Sequence, residues 1–104
     1  MNFRLPDYSY WAPERKSKLG RWNSPPTLAV EVRSPDETMA AQRAKCRWFR
    51  NYGVDVCWLI DPESRTVEVF EGNRDGELVE GVLESAVLPG LQIPIASLFS
   101  GLGG

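Results

Sequence analysis

The sequence predicts one mixed α/β domain, in which a parallel β-α-β crossover is extended by antiparallel strands. Residues 27–33 alternate as a strand does, a strong helix start follows at Ser34, and residues 55–61 are apolar on both faces. A strand, a helix and a second strand in this order almost always form a right-handed parallel crossover. A chain of 104 residues is enough for one small domain, so we treat residues 1–104 as a single unit.

The amino-terminal part is predicted to contribute a short strand and a loop. Residues 7–11 form the strand, and Pro13 ends it. Residues 12–26 are polar and basic and contain glycine and a proline pair, which indicates a loop. The next strand, at residues 27–33, is apolar enough to be internal. We therefore expect Glu31, in the middle of that strand, to be at least half buried.

The helix after this strand has clear start and stop signals. Ser34 is predicted as the N-cap, with Pro35 at the first helical position and Glu37 completing a capping box. An acidic first turn also suits the positive end of the helix dipole. The helix should run to about Tyr52, because Gly53 provides a left-handed C-terminal stop.

One lysine of this helix falls among its apolar residues. At about 100° per residue, the predicted apolar arc consists of Ala41, Ala44, Trp48, Phe49 and Tyr52. Three arginines of the opposite arc are predicted to face water, namely Arg43, Arg47 and Arg50. Lys45 lies inside the apolar arc, where a cation is costly unless it is paired. Either Lys45 extends to water or makes a structural ion pair, or it points at an acidic site on the sheet.

The rest of the chain is predicted to complete the sheet. Residues 55–61 form a central strand, and the turn that follows leads into an antiparallel strand at residues 66–71. Residues 77–83 pair back as a further strand. A short helix is predicted around residues 96–99.

The composition excludes several kinds of chemistry. The chain has no histidine, which removes histidine-based triads, bases and metal ligands. Its two cysteines, Cys46 and Cys57, indicate neither a disulfide framework nor a zinc site. No apolar run approaches the ~20 residues that span a bilayer, and no signal peptide is evident. A cytoplasmic protein is therefore expected.

The charge distribution leaves two interpretations open. A net charge of −2 and a pI near 5.1 argue weakly against a dedicated nucleic-acid binder, but a site for divalent cations is locally acidic. The basic residues form two groups, one of Arg15, Lys16, Lys18 and Arg21 and one of Arg43, Lys45, Arg47 and Arg50. Either group could contact phosphates or be a solvated surface.

Asp7, Glu31 and Lys45 together predict a metal-dependent phosphodiester site. Taken singly, each has an ordinary explanation: a turn aspartate, an edge-strand glutamate and a structurally paired lysine. Two carboxylates on adjacent strands can share one hard cation such as Mg²⁺. A metal lowers the pKa of bound water and polarises a phosphoryl oxygen, and a nearby lysine can position the nucleophile and offset phosphoryl charge.

An ordered series of segments carries a family resemblance. The segments are Pro6-Asp7, residues 28–32 followed by Ser34-Pro35, Lys45, Phe49, Gly53-Val54, residues 58–62, residues 66–70, residues 88–91 and Leu98-Phe99. With these gaps, they resemble the bacterial Uma-type restriction endonuclease family over nearly the whole chain. The resemblance implies the PD-(D/E)xK fold, which is a restriction-endonuclease-like mixed sheet flanked by helices. It also implies an enzyme that cuts DNA with Mg²⁺, for which Mn²⁺ can substitute.

The resemblance also assigns roles to residues. Asp7 and Glu31 match the metal-binding acids, and Lys45 matches a lysine that has moved from the strand to the helix. The usual strand position, two residues after the glutamate, is occupied by Arg33. Arginine could replace lysine as a cation but does not lose a proton. The family pattern therefore leaves the contribution of Arg33 to the site open.

The amino end departs from the family pattern. Family members usually have a helix and strands before the Pro-Asp motif, whereas five residues precede Pro6 here. We therefore expect this chain to correspond to the C-terminal part of the family domain. It would then be a truncated or inactive copy, or a chain whose site is completed by a second copy. The alternative function is a non-catalytic module that forms a homodimer through an open sheet edge. Tyr8, Tyr10, Trp11 and Trp22 would then form a contact patch, whereas our preferred interpretation is that they are core residues.

Overall fold

The computed structural model describes residues 6–13 and 25–100. In chain order its elements are β1 (Tyr8–Tyr10), β2 (Leu28–Val32), α1 (Met39–Tyr52), β3 (Val56–Asp61), β4 (Thr66–Glu71), β5 (Arg74–Val79), β6 (Val82–Leu83), β7 (Ile93–Pro94) and α2 (Ile95–Ser100). Within these ranges no helix combines the length and the apolar character that crossing a bilayer requires.

Five strands form one mixed sheet in the order β1-β2-β3-β4-β5. β2 and β3 are parallel and are joined by α1, whereas the other neighbouring pairs are antiparallel. β6 and β7 pair as a separate two-stranded ribbon. The mixed fold and the position of its β-α-β crossover confirm the sequence prediction.

Both faces of the sheet are covered. On one face, α1 packs Cys46 and Phe49 against Cys57, Leu59 and Phe70. The segment from β6 to α2 covers the other face, and the buried cluster there consists of Leu28, Val56, Trp58, Ile60, Val67, Val69, Leu83 and Phe99. All six residues of β3 are buried. This burial confirms that β3 is a central strand, since only a strand covered on both sides buries successive residues.

The start of α1 corrects the sequence prediction. The N-cap is Thr38 rather than Ser34, and its side-chain oxygen accepts a hydrogen bond from the Ala41 N–H at 3.0 Å. Ser34 to Glu37 form a turn instead, in which the Ser34 N–H donates to Glu37 Oε1 at 2.8 Å and the Glu37 N–H donates to the Ser34 carbonyl at 3.0 Å. The first helical turn therefore contains no acidic residue. A serine and a glutamate three residues apart can close a turn as well as cap a helix.

The buried side of α1 also differs from the predicted arc. Its buried residues are Gln42, Cys46 and Phe49. Three residues of the predicted arc are exposed instead, namely Ala41, Ala44 and Tyr52. Beside this buried side, Arg43 and Lys45 reach carboxylates of the sheet, whereas Ala41 and Ala44 face solvent.

Two arginines predicted to face water turn toward the sheet. Arg43 makes two hydrogen bonds with the carboxylate of Glu68, at 2.9 Å and 2.7 Å. These bonds raise the pKa of Arg43, although its partial desolvation acts in the opposite direction. Arg50 donates to the carbonyls of Val54, Asp55 and Gly72 at 3.0, 2.8 and 3.1 Å. Arg43 therefore turns to a carboxylate of the sheet, and Arg50 turns to carbonyls of the segments just before β3 and just after β4.

Two further predictions need correction. β5 spans Arg74–Val79 rather than residues 77–83, because the preceding turn is short and Gly76 continues the strand with a φ of +84°. Tyr8 and Tyr10 were interpreted as core residues, but they are 66% and 46% exposed, because three-residue β1 lies at the end of the sheet order. Trp22 lies outside the described residues.

Gly53 ends α1 as predicted, and its replacement by alanine should be strongly destabilising. Its φ is +122°, and a Cβ there would lie 2.8 Å from Pro25 Cγ. We expect Gly53→Ala to lower the free energy of unfolding by about 2 kcal/mol, which corresponds to a fall in Tm of roughly 10 °C. Gly72→Ala is the control, because its φ is +61° and the space around it is open. Urea denaturation should show the smaller loss for the control, and equal losses would contradict the role of the Pro25 contact.

Candidate active site

Glu31 lies at the centre of a polar cluster between β2 and α1. Because side chains alternate along β2, Glu31 points to the face that α1 covers. Its side chain is only 1% exposed. Its Oε1 lies 3.0 Å from Lys45 Nζ, and its Oε2 accepts a hydrogen bond from the Asp7 N–H at 3.1 Å. A carboxylate this deeply buried requires such partners.

Lys45 reaches Glu31 from α1. The lysine side chain is 24% exposed, so its stem is largely covered while the amine remains near the surface. The sequence left open whether this lysine extends to water, makes a structural ion pair or points at an acidic site, and the structure places its Nζ in contact with Glu31. Strand periodicity indicated the face of β2 on which Glu31 lies, and the packing of α1 on that face brings Lys45 to it.

Asp7 reaches the same cluster through strand pairing. β1 pairs antiparallel with β2, with Tyr8 opposite Val30, so Asp7 lies beside the end of β2. Asp7 Oδ2 accepts a hydrogen bond from the Val32 N–H at 2.7 Å, and Asp7 itself is exposed. Together with the Asp7 N–H bond to Glu31, this contact fixes Asp7 at the open side of the cluster. The structure thus brings all three predicted site residues together.

The environment of Glu31 raises the pKa of its carboxyl group. Burial is the largest cause, the hydrogen bond and charge of Lys45 oppose it, and the negative charge of Asp7 adds to it. A raised pKa means that the surroundings disfavour the charged form of the carboxyl, and a nearby cation would stabilise that form. Lys45 meets that need only in part, so additional positive charge near Glu31 would be favourable.

Arg33, at the strand position where the resembled family has lysine, is held by a separate network. Its Nε donates to Asp61 Oδ1 at 2.9 Å, its Nη1 donates to the Glu37 carbonyl at 2.7 Å, and its Nη2 donates to Glu63. The hydrogen bonds of Glu63 and Asp61 raise the pKa of Arg33. Because these bonds occupy Nε, Nη1 and Nη2, the guanidinium joins the start of the crossover to the β3–β4 turn.

Asp61 in this network gives a prediction about pH. Burial alone would raise its pKa, but hydrogen bonds from Ser64 and Arg33 outweigh burial and hold the pKa below its ordinary value of 3.8. A lowered pKa contributes stability that is present above pH 3.8 and is lost as the pH falls through the folded-state pKa. Asp61→Asn should therefore cost about 1–3 kcal/mol at pH 7 and progressively less below pH 3.8.

Asp75→Asn is the control for this prediction. Asp75 pairs with Arg47, but the two side chains are 64% and 48% exposed. A pair so exposed contributes less than about 1 kcal/mol. Denaturant unfolding at pH 7 and pH 3 should show a pH-dependent loss for Asp61→Asn only. A loss of the same size at both pH values would mean that the carboxylate charge is not what stabilises the network.

Sequence reasoning missed two polar residues of α1 and β4. Glu68 is 7% exposed and pairs with Arg43, and the register Glu31–Leu59–Glu68 places both glutamates in one row across the sheet. The alternation of β4 was an available signal, because it puts Glu68 on the face that α1 covers. Gln42 is 5% exposed and its Oε1 lacks a hydrogen-bond partner. No pattern in the sequence distinguished Gln42 from a solvent-facing glutamine.

The two basic groups have different outcomes. In the second group, Arg43, Lys45, Arg47 and Arg50 all have acidic or carbonyl partners, and Arg47 also lies over the ring of Phe70 at 5.8 Å. The first group, which is made up of Arg15, Lys16, Lys18 and Arg21, lies outside the described residues.

The donor set of the cluster consists of carboxylate oxygens, the kind of ligand that a divalent cation such as Mg²⁺ takes. Asp7 and Glu31 supply hard oxygen donors from adjacent strands, and Mg²⁺ is commonly held by one or two carboxylates together with water and phosphate oxygens. Each Glu31 oxygen makes one contact in the structure, and a carboxylate oxygen can accept two. Over residues 6–13 and 25–100, no group of three or more histidine, cysteine or acidic side chains is suited to a metal.

Comparisons with known proteins define the class of this fold. A solved structure from Anabaena variabilis, described as "a putative nuclease belonging to DUF820", is similar with a TM-score of 0.67 and 25% sequence identity. The match covers 76% of this chain and 46% of that chain, so it spans less than half of the neighbour's length. Among curated proteins, none matches the sequence.

The family follows from the sequence match. Residues 1–100 match the Uma2 family, described as "Putative restriction endonuclease", and the chain belongs to that family. The match confirms the resemblance that the ordered segments indicated. The cluster of Asp7, Glu31 and Lys45 lies within the residues that this match covers.

Proposed function

We propose that this chain carries the catalytic cluster of a metal-dependent DNA endonuclease of the PD-(D/E)xK type, within a single unit of residues 1–104. The observation that carries the proposal is the buried carboxylate of Glu31, which contacts Lys45 on one side and the backbone of Asp7 on the other. Membership of the Uma2 family supports the same reaction class. The proposed substrate is DNA, and the proposed metal is Mg²⁺, for which Mn²⁺ can substitute.

Asp7 and Glu31 would hold the metal, and each has a distinct position. Asp7 is exposed and is fixed by the Val32 N–H, so it can meet an incoming ion and phosphate. Glu31 is buried and anchors the inner side. A bound Mg²⁺ would polarise a phosphoryl oxygen and lower the pKa of the attacking water.

Lys45 would act beside these acids. Its ammonium can orient the attacking water and offset the charge that develops on the phosphoryl oxygens. The contact with Glu31 fixes the amine, so little reorganisation is needed when substrate binds. Arg33 is assigned no catalytic role, because its hydrogen bonds hold it to Asp61, Glu37 and Glu63.

The test of this function is cleavage of supercoiled plasmid DNA by the purified chain. Nicked and linear products should form with Mg²⁺ or Mn²⁺ and should not form with EDTA. Calorimetry with Mn²⁺ alone tests the metal site without substrate. Absence of both cleavage and Mn²⁺ binding in a folded chain would reject the proposal.

A non-catalytic role has one observation in its favour. Tyr8 and Tyr10 are exposed on β1, which is at the end of the sheet order in the part of the chain described. An exposed edge strand with aromatic side chains can pair with a second copy. A chain that sediments as a dimer, and becomes monomeric on Tyr8→Lys, while neither binding Mn²⁺ nor cutting DNA, would support this module instead.

A further inference from the structure

A pair of stacked aromatic rings continues along α1 from Lys45. Tyr52 follows Lys45 by seven residues, which is about two helical turns, so both lie on nearly the same side of the helix. Trp48 lies between them along the axis. At about 1.5 Å per residue, Tyr52 is about 10 Å from Lys45 along the helix, the length of roughly three stacked nucleotide steps of about 3.4 Å.

The two rings form a flat surface that is attached to the core. The centroids of Trp48 and Tyr52 are 5.3 Å apart with an interplanar angle of 9°. Trp48 also meets the buried ring of Phe49 edge to face, with centroids 5.5 Å apart and an angle of 75°. Tyr52 is nevertheless 55% exposed. Phe49 therefore supports the ring of Trp48 from the core, while much of Tyr52 remains open to solvent.

The side of α1 that carries the rings has one cation, Lys45, and short neighbouring side chains. α1 contains four basic residues and no acidic residue, although the whole chain has a net charge of −2. The acidic partners of Arg43, Lys45 and Arg47 lie on the strands of the sheet. Ala41 and Ala44, one to two turns before the rings, are exposed and short. Arg43, Arg47 and Arg50 lie on the opposite side of α1. A strand along the side of Tyr52 would therefore meet the ammonium of Lys45 and little steric obstruction.

We propose that Trp48 and Tyr52 form a stacking platform for an unpaired base of a DNA strand whose phosphate lies at Lys45. This inference rests on the proposed nuclease function and adds a substrate class, DNA with unpaired nucleotides beside the cleaved bond. Bases stack on aromatic side chains regardless of sequence, because every base has a π-face. A base inside a duplex is already stacked on its neighbours and would not reach Tyr52.

The test is binding without metal, so that cleavage does not enter the measurement. A fluorescein-labelled 12-mer of thymidine and a blunt duplex of the same sequence are titrated in EDTA and followed by anisotropy. Tyr52→Ala is expected to weaken single-strand binding roughly 5- to 100-fold, the range of one lost base stack. Tyr52→Phe keeps the ring and should keep the affinity. Duplex binding should change less than about twofold.

Leu78→Ala is the matched control, because Leu78 is also a large apolar residue, 51% exposed, but lies on β5. It should leave both affinities unchanged. Three results would each overturn the platform. They are equal single-strand affinity of Tyr52→Ala and the native chain, an equal loss of affinity for single strand and duplex, and no single-strand binding by the native chain. Plasmid cleavage separates the two proposals. If the native chain cleaves plasmid but Tyr52→Ala binds single strands as tightly as the native chain does, only the platform is rejected. If single-strand affinity depends on Tyr52 but the native chain neither cleaves plasmid nor binds Mn²⁺, only the nuclease function is rejected.

Discussion

Glu31→Gln is expected to weaken Mn²⁺ binding more than 100-fold while the chain remains folded. Glutamine preserves the shape of the side chain and can still accept the hydrogen bond from the Asp7 N–H. It removes the negative charge that a hard cation requires. Loss of a second-shell partner already lowers metal affinity by about 10–100-fold, so loss of a ligand should exceed that range. Calorimetry with Mn²⁺ at pH 7 measures the change.

The stability of the same variant provides an independent check. Because the folded structure raises the pKa of Glu31 above 4.5, its contribution to stability is present at low pH and is lost as the pH rises through the folded-state pKa. Glu31→Gln should therefore be at least as stable as the native chain at pH 7, and this advantage should disappear below pH 4.5. Glu77→Gln, at a side chain that is 57% exposed, is the control. Unchanged Mn²⁺ affinity in Glu31→Gln would remove Glu31 from the metal site.

Lys45→Met is expected to reduce plasmid cleavage by about 10²–10³-fold at saturating Mn²⁺. Methionine keeps most of the covered stem and removes only the ammonium. Loss of one preorganised group that stabilises charge in the transition state has an effect of about this size. Mn²⁺ binding should persist, although it should be weaker at low pH because Glu31 loses a partner that lowers its pKa. Nicking rates measured against Mn²⁺ concentration separate weaker binding from slower chemistry.

Arg47→Ala is the charge-matched control for this prediction. It removes one positive charge from the same helix, but its partner is the exposed Asp75 rather than Glu31. Nicking by Arg47→Ala should stay within a few-fold of the native rate. Equal nicking by Lys45→Met and the native chain would show that the amine serves only as a structural partner of Glu31.

Short-range periodicity explains the features that could be predicted. The alternation of residues 27–33 assigned Glu31 to one face, and helical periodicity placed Lys45 toward the sheet. Gly53 marked the end of α1, because few other residues adopt its positive φ. The apolar run at residues 55–61 identified β3 as central, and its complete burial agrees. Each of these inferences needs only neighbours within about two helical turns.

Competition between local signals explains the wrong helix start. Ser34 and Thr38 are both suitable N-cap residues, and nothing in the local sequence favours one over the other. Arg33 joins the turn after β2 to Asp61, and its bond to the Glu37 carbonyl stabilises that segment as a turn. The helix then begins at Met39, with Thr38 as its N-cap. The deciding partner, Asp61, is 28 residues away in the chain.

The sequence by itself determined the β-α-β crossover and the facing positions of Glu31 and Lys45, because backbone geometry repeats with fixed periods of two and 3.6 residues. Only the tertiary structure decided that Asp7 joins them, since strand pairing across 24 residues of chain brings it to Glu31. The tertiary structure also turned Arg43 to Glu68 and left Tyr52 exposed. Burial of a charge requires a partner from another element, and that choice depends on packing that local periodicity does not contain.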